Sequence, residues 1–120
     1  MANSLVKSLS EAEQYVNTIN PKLSCRVATT ANITLSNTQT IDGIAISENE
    51  RVLVKDQSTG SENGIYICSS GDWFRSTDMD SNESCRPNSF VFIEEGSTNA
   101  DKMFQLTTNN DIVLGTTSLT

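Results

Sequence analysis

Arg51-Val-Leu-Val-Lys-Asp-Gln-Ser-Thr-Gly-Ser-Glu-Asn-Gly-Ile-Tyr-Ile67 reads without a gap against Phe90-Val-Phe-Ile-Glu-Glu-Gly-Ser-Thr-Asn-Ala-Asp-Lys-Met-Phe-Gln-Leu106, 39 positions further on. Val52/Val91, Ser58/Ser97, Thr59/Thr98 and, beyond these stretches, Asp72/Asp111 are identical. Val54/Ile93, Asp56/Glu95, Ile65/Phe104 and Ile67/Leu106 keep the residue type. In each copy an alternating apolar run precedes a polar Ser-Thr turn, and a second apolar run follows. That pattern of period-two segments around a turn predicts a strand, a turn and a returning strand, used twice. The repeated part carries no obvious chemistry.

Outside the repeat the β signal continues. Arg26-Val-Ala-Thr-Thr30 and Ile33-Thr-Leu35 alternate, Asp42-Gly43 is a turn signal before Ile44-Ala-Ile46, and Ser70-Gly-Asp72 turns into Trp73-Phe-Arg-Ser76. Residues 78–89 have no periodicity and read as the longest loop. Ile112-Val-Leu114 reads as the last strand. Ser10 and Glu13 form a capping box, after which Ala12, Tyr15, Val16 and Ile19 recur at helical spacing until Asn20-Pro21 ends the run. The expected architecture is therefore all-β, a compact barrel or sandwich of about eight to ten short strands, preceded by one short α-helix over residues 10–19. Two parts are expected: an N-terminal helical segment, 1–24, and a β domain, 25–120.

Composition agrees. The chain has 120 residues, of which 36% are hydrophobic. Ser (16), Thr (14) and Asn (12) suit turns and the solvated faces of sheets better than helices. One thin-cored domain follows, and a helix of three turns is marginal alone in water. The apolar stripe must pack either as a lid on the sheet or against a neighbouring chain. Ala12, Tyr15, Val16 and Ile19 are the candidate partner-binding residues.

A net charge of −7 with a pI near 4.3 argues against nucleic acid and anionic membrane surfaces as partners, since both require clustered Lys and Arg. No apolar run approaches the roughly 20 residues that span a bilayer. The first residues lack a secretory signal's pattern, so synthesis in the cytoplasm is expected. The sequence contains no histidine, which removes histidine-based acid–base and nucleophilic arrangements and the commonest metal ligand. Cys25, Cys68 and Cys85 are odd in number and widely spaced, so they read as buried free thiols rather than a disulfide frame or a zinc site. The expectation is no catalytic residues, no cofactor and no metal.

Three weaker signals complete the inventory. Glu94-Glu95 is the tightest carboxylate pair, but strand neighbours point to opposite faces and would not flank one bond. Asp78-x-Asp80-x-Asn82 imitates the start of a calcium loop, yet Glu83 stands where glycine is required. Tyr66 and Trp73 are candidate glycan contacts. Trp73 and Phe74, as neighbours, should face opposite ways, one in the core and one partly exposed.

Taken together, Arg26-Val-Ala-Thr-Thr-Ala-Asn-Ile-Thr-Leu-Ser36, Gln39-Thr-Ile-Asp-Gly-Ile44, Arg51-Val-Leu-Val-Lys-Asp-Gln57, Glu62-Asn-Gly-Ile-Tyr66, Trp73-Phe-Arg-Ser-Thr-Asp78, Val91-Phe-Ile-Glu-Glu-Gly-Ser-Thr-Asn-Ala-Asp101 and Ile112-Val-Leu-Gly-Thr-Thr-Ser-Leu119 closely resemble a known β module. That module recurs in tail-fibre and other tail-appendage proteins of double-stranded DNA bacteriophages, and in structural proteins of some large DNA viruses. The resemblance covers residues 25–120. It implies a virion structural protein without catalytic residues, working by assembly into a homo-oligomer, with a trimer favoured. Other virion proteins, and a host-surface glycan or protein, are the partners it implies. A minor capsid or decoration protein and a glycan-binding adhesin domain are the rival functions. The family usually has apolar or small residues at the three cysteine positions, and a glycine where Cys85-Arg-Pro-Asn88 precedes the Phe90 strand.

Overall fold

The computed structural model describes residues 21–109 and 111–120. The helix expected over 10–19, with its four stripe residues, lies outside the described residues. Within them the protein is all-β. Eight short strands form three sheets: β1 (Val27–Ala28), β2 (Thr40–Ile41), β3 (Ile44–Ala45), β4 (Arg51–Val54), β5 (Gly64–Ile67), β6 (Phe74–Arg75), β7 (Phe90–Phe92) and β8 (Met103–Gln105). The four-stranded sheet runs β1-β4-β5-β6, with β1 parallel to β4 and the other pairs antiparallel.

The repeated segments are both antiparallel hairpins. Val52 faces Tyr66 in the first, whereas its counterpart Val91 faces Phe104, the counterpart of Ile65, in the second. The two hairpins are thus paired one residue out of step. Because side chains alternate, that slip changes which residues share a face. Ahead of both in the chain, Asp42 (φ 49°) and Gly43 (φ 83°) make the two-residue turn that joins β2 to β3 with Ile41 opposite Ile44. Positive φ at both positions is what such a turn requires.

Residues 21–29 hold the hairpins together. On one side Lys22 and Cys25 N–H donate to the Phe90 and Phe92 carbonyls (2.9 and 3.0 Å), and Glu94 and Glu95 N–H donate back to Cys25 and Arg26 (2.9 and 2.8 Å). On the other, Arg26 and Thr29 N–H donate to Arg51 and Leu53 (3.0 and 2.9 Å). The segment changes partners at Arg26, where it bends. Cys25 and Val27 would share a face of a regular strand, but here they lie in different apolar clusters.

Those clusters sit on opposite faces of β4. Leu53, Ile65 and Ala28 meet Val91, Ile93, Met79 and Leu119 of the second half on one side. Val52, Val54 and Tyr66 meet Ile41, Ile46 and Trp73 on the other. A strand covered twice is a continuous apolar run, which is why Val52-Leu-Val54 is fully apolar. The second hairpin is buried on its Val91/Ile93 face only; Phe92 and Met103, opposite each other, are 54% and 52% exposed.

Three expectations need correction. The strands do not close into a barrel; the described strands form three short separate sheets. Ile33-Thr-Leu35 is not a strand, because the Gln57 side chain takes the place of a neighbouring backbone, accepting from Ile33 N–H (2.9 Å) and donating to its carbonyl (3.0 Å). Ile112-Val-Leu114 leads into a turn instead of forming a strand. Thr117 Oγ1 accepts from Val113 N–H at 2.9 Å, Asn82 accepts from Leu114 N–H at 2.8 Å, and Thr116 and Thr117 N–H both donate to Val113.

Candidate functional site

Each hairpin's Ser-Thr turn is held from outside by an upstream side chain. In the first, Asn32 Oδ1 accepts from Ser58 N–H at 2.7 Å. In the second, both Asp42 carboxylate oxygens accept from Thr98 N–H (3.0 Å each), and one also accepts from Asn99 N–H at 2.8 Å. The Asp42 carbonyl accepts from Ser97 N–H as well. Ser58 and Ser97 are repeat counterparts, so both turns are clamped, the first by Asn32 at Ser58 and the second by the Asp42 carboxylate one and two residues further along, at Thr98 and Asn99. The Asn99 and Thr98 N–H groups hold the Asp42 carboxyl below its usual range. Buried Asn99 then reaches the carbonyls of Ala28 and Thr29, tying the clamp to β1.

A second cluster surrounds Arg51. Its guanidinium grips Asp78 at both oxygens (3.1 and 3.0 Å) and donates to the carbonyls of Leu23 (2.8 Å) and Ser24 (3.0 Å). A planar fork matched to a carboxylate gives such a pair direction as well as charge. Burial raises the Asp78 carboxyl, but Arg51, the Ser76 hydroxyl and Lys22 outweigh it, and the net shift is downward. Lys22 Nζ donates to the Asp78 and Ser84 carbonyls at 2.5 and 2.6 Å, and burial lowers its pKa. Arg26 bridges Glu50 and Glu95, which raises its own pKa and fastens the bend between the hairpins.

Between the hairpins lies an apolar hollow of about 300 Å³, walled by Leu53 and Ile65 of the first and Val91, Phe104 and Leu106 of the second. Met79 and Leu119 help to line it, and Lys22 and Lys55 stand in its wall. Lys55 Nζ lies 4.9 Å from the Phe104 ring centre, a cation–π distance.

The aromatics and acids are distributed as follows. Trp73 is buried and its indole N–H donates to Asn37 at 2.9 Å, while its neighbour Phe74 is 55% exposed. Tyr66 is 6% exposed, donates its hydroxyl to Glu62 and carries the Arg75 guanidinium over its ring. Both rings of the sugar-stacking pair are thus employed within the fold, and neither has a free face. Glu94 accepts from Ser24, and Glu95 from Arg26. Asp78 is committed to Arg51, and Asn82 to Leu114. Among the described residues, no group of three or more His, Cys, Asp or Glu side chains is placed to hold a metal ion.

The three cysteines are free and buried. Burial pushes the Cys25 thiol up to about 12 and raises Cys68 and Cys85 as well, so all three stay protonated and behave as small hydrophobes. Asn32, Gln57, Arg51 and Lys22 were not singled out as structural residues from the sequence. Their partners lie more than 20 residues away, and no local spacing announces them. A scan against protein-family models finds no match, and neither do searches of curated proteins and of solved structures.

Proposed function

We propose that the chain is a non-enzymatic structural protein of a virion, a module of a tail fibre or related appendage that acts by assembly. The resemblance of residues 25–120 to the tail-fibre β module is the starting point. The observation that best supports it is the paired clamp, Asn32 on the first Ser-Thr turn and Asp42 on its counterpart. Polar side chains that an enzyme would aim into a cleft are here spent on fixing turns. A domain with a thin core and internally satisfied turns suits a rigid building block that gains further stability from like neighbours.

In this reading the subunits associate in a closed ring of three, since cyclic symmetry lets identical surfaces be satisfied without an open end. The N-terminal segment, 1–24, connects the β domain to the adjacent fibre segment or baseplate. The partners are other virion proteins, with a host-surface molecule contacted through the assembled fibre. The protein is made in the host cytoplasm and resides in the virion.

Two measurements test this. Native mass spectrometry of the purified full-length chain should give three times the chain mass at micromolar concentration; a strictly monomeric chain would count against assembly. Quantifying the chain in purified virions should give a handful of copies per particle. Hundreds would instead place it in the shell as a decoration protein, and none would end the virion assignment.

A further inference from the structure

We propose that the outer edge of β8, together with the apolar hollow beside it, is a strand-addition site that takes an extended, uncharged apolar segment of a partner protein. This goes beyond the virion assignment and stands independently of it.

Hydrogen bonding defines the edge. In the second hairpin Ile93 N–H donates to the Lys102 carbonyl and Leu106 N–H to that of Ser89 (2.8 and 2.7 Å), so Lys102, Phe104 and Leu106 turn their backbone groups toward β7. Backbone groups alternate in direction along an antiparallel strand. Those of Met103 and Gln105 therefore point away from β7, and among the described residues nothing bonds to them. Two N–H and two C=O groups, from residues two apart, are a template for one further strand. The template is bounded at both ends. Asp101 N–H donates to the Ile93 carbonyl and Thr107 N–H to the Thr120 carbonyl (2.7 and 2.8 Å).

The hollow defines the occupant. Phe104 of β8 and Leu106 just beyond it, both half-buried, line it. A residue of an added strand opposite Phe104 shares that face, so its side chain enters the hollow. On the other face, residues opposite Met103 and Gln105 lie beside exposed Met103 and, one strand further, exposed Phe92. Both faces thus favour apolar side chains. The two cations in the wall offer no opening for an acid: Lys22 is bonded to the Asp78 and Ser84 carbonyls and Lys55 to Asp56. A second copy of β8 fits poorly. The antiparallel self-pairing that joins Met103 to Gln105 sets Asp101 of the copy opposite Thr107, where Thr120 already sits. A partner's strand satisfies the bare edge and removes the walls of the hollow from water in one contact.

The test follows backbone amide hydrogen exchange by NMR in the full-length chain, alone and with the peptide acetyl-Arg-Val-Leu-Val-Lys-amide, which copies residues 51–55. Alone, the Met103 and Gln105 amides should exchange fast while those of Phe104 and Leu106 are protected. Millimolar peptide should slow Met103 and Gln105 several-fold, and the same peptide N-methylated at both valines should not. Gln105→Pro, which removes an outward N–H and no bond of the hairpin, should reduce the slowing at Met103 with Phe104 still protected. Equal slowing by the methylated peptide, or no slowing by either, would overturn the proposal. So would Met103 and Gln105 amides already protected in the chain alone. Protection independent of concentration means that the edge is covered within one chain, and protection that rises with concentration means that a second copy takes it.

Discussion

The carboxylate of Asp42 occupies the space that a Cβ on Gly96 would need. Gly96 has φ of +133°, a conformation open to glycine and strained for other residues, and it immediately precedes the Ser97-Thr98-Asn99 turn that Asp42 clamps. The tight turn and its clamp therefore depend on one another: the missing side chain admits the carboxylate, and the carboxylate satisfies the turn's N–H groups.

Gly96→Ala should destabilise the protein by about 1–3 kcal/mol, combining backbone strain with a collision. Asp42→Ala in the same background should not restore stability, because the strain at φ +133° remains and the turn N–H groups lose their acceptor. Urea midpoints of the two variants and their combination check this; a neutral Gly96→Ala would show that the turn is not rigid.

Acid should unfold the protein through specific carboxylates. The Asn99 and Thr98 N–H groups lower the pKa of Asp42, the Arg26 guanidinium and the Ser47 N–H lower that of Glu50, and Arg51 with Ser76 lowers that of Asp78 against the effect of burial. A carboxyl whose folded pKa is depressed binds protons more tightly when unfolded. Its stabilisation is complete above the ordinary carboxylate range, about 4, and is lost as pH falls through the folded values. With no histidine in the chain, the urea midpoint should be flat from pH 8 to 6 and should fall below about pH 4.5. Asp42→Asn should flatten that fall; an unchanged slope would remove Asp42 from the account.

The cysteines should be silent until the protein unfolds. At pH 8 a thiol reagent should modify none of Cys25, Cys68 and Cys85 in the native state, and all three in urea. Since burial raises each folded thiol pKa, stability is intact below the ordinary thiol value, about 8.5, and declines as pH rises beyond it. Cys25→Ser, which buries a hydroxyl in an apolar cluster, should cost about 1–3 kcal/mol. Rapid native labelling of Cys25 would contradict its placement.

Neighbouring residues of the second hairpin should respond very differently. Ile93 is buried and Phe92 is 54% exposed. Ile93→Ala should cost about 2–5 kcal/mol, whereas Phe92→Thr and Met103→Thr should each stay within about 0.5 kcal/mol for the isolated chain. Denaturation at two protein concentrations separates the isolated chain from an assembled one. A large loss for Phe92→Thr at the lower concentration would mean that the outer face is covered within one chain.

Much of the fold was legible locally. Arg51-Val-Leu-Val54 and Gly64–Ile67 are strands, Asp42-Gly43 is the turn between two others, and Trp73 and Phe74 divide between core and solvent. The 39-residue offset marks two real hairpins. Each of these depends on side-chain alternation or on the backbone freedom of a turn residue, which neighbours in the chain determine. Ile33-Thr-Leu35 and Ile112-Val-Leu114 have the same alternation, yet Gln57, Asn82 and Thr117 side chains bind their backbones first.

By itself the sequence determined that this chain is a β protein with a duplicated hairpin, without histidine chemistry and with thiols suited to burial. Those properties are set by composition and by periods of a few residues. Tertiary structure alone decided the one-residue slip between the hairpins, the change of partners at Arg26, the Asp42 clamp and the hollow between the two halves. The slip is set by pairings 10 to 16 residues apart within each hairpin, and the other three by hydrogen bonds or packing across 20 to 70 residues; alternation carries no information about which partner a strand or carboxylate will meet.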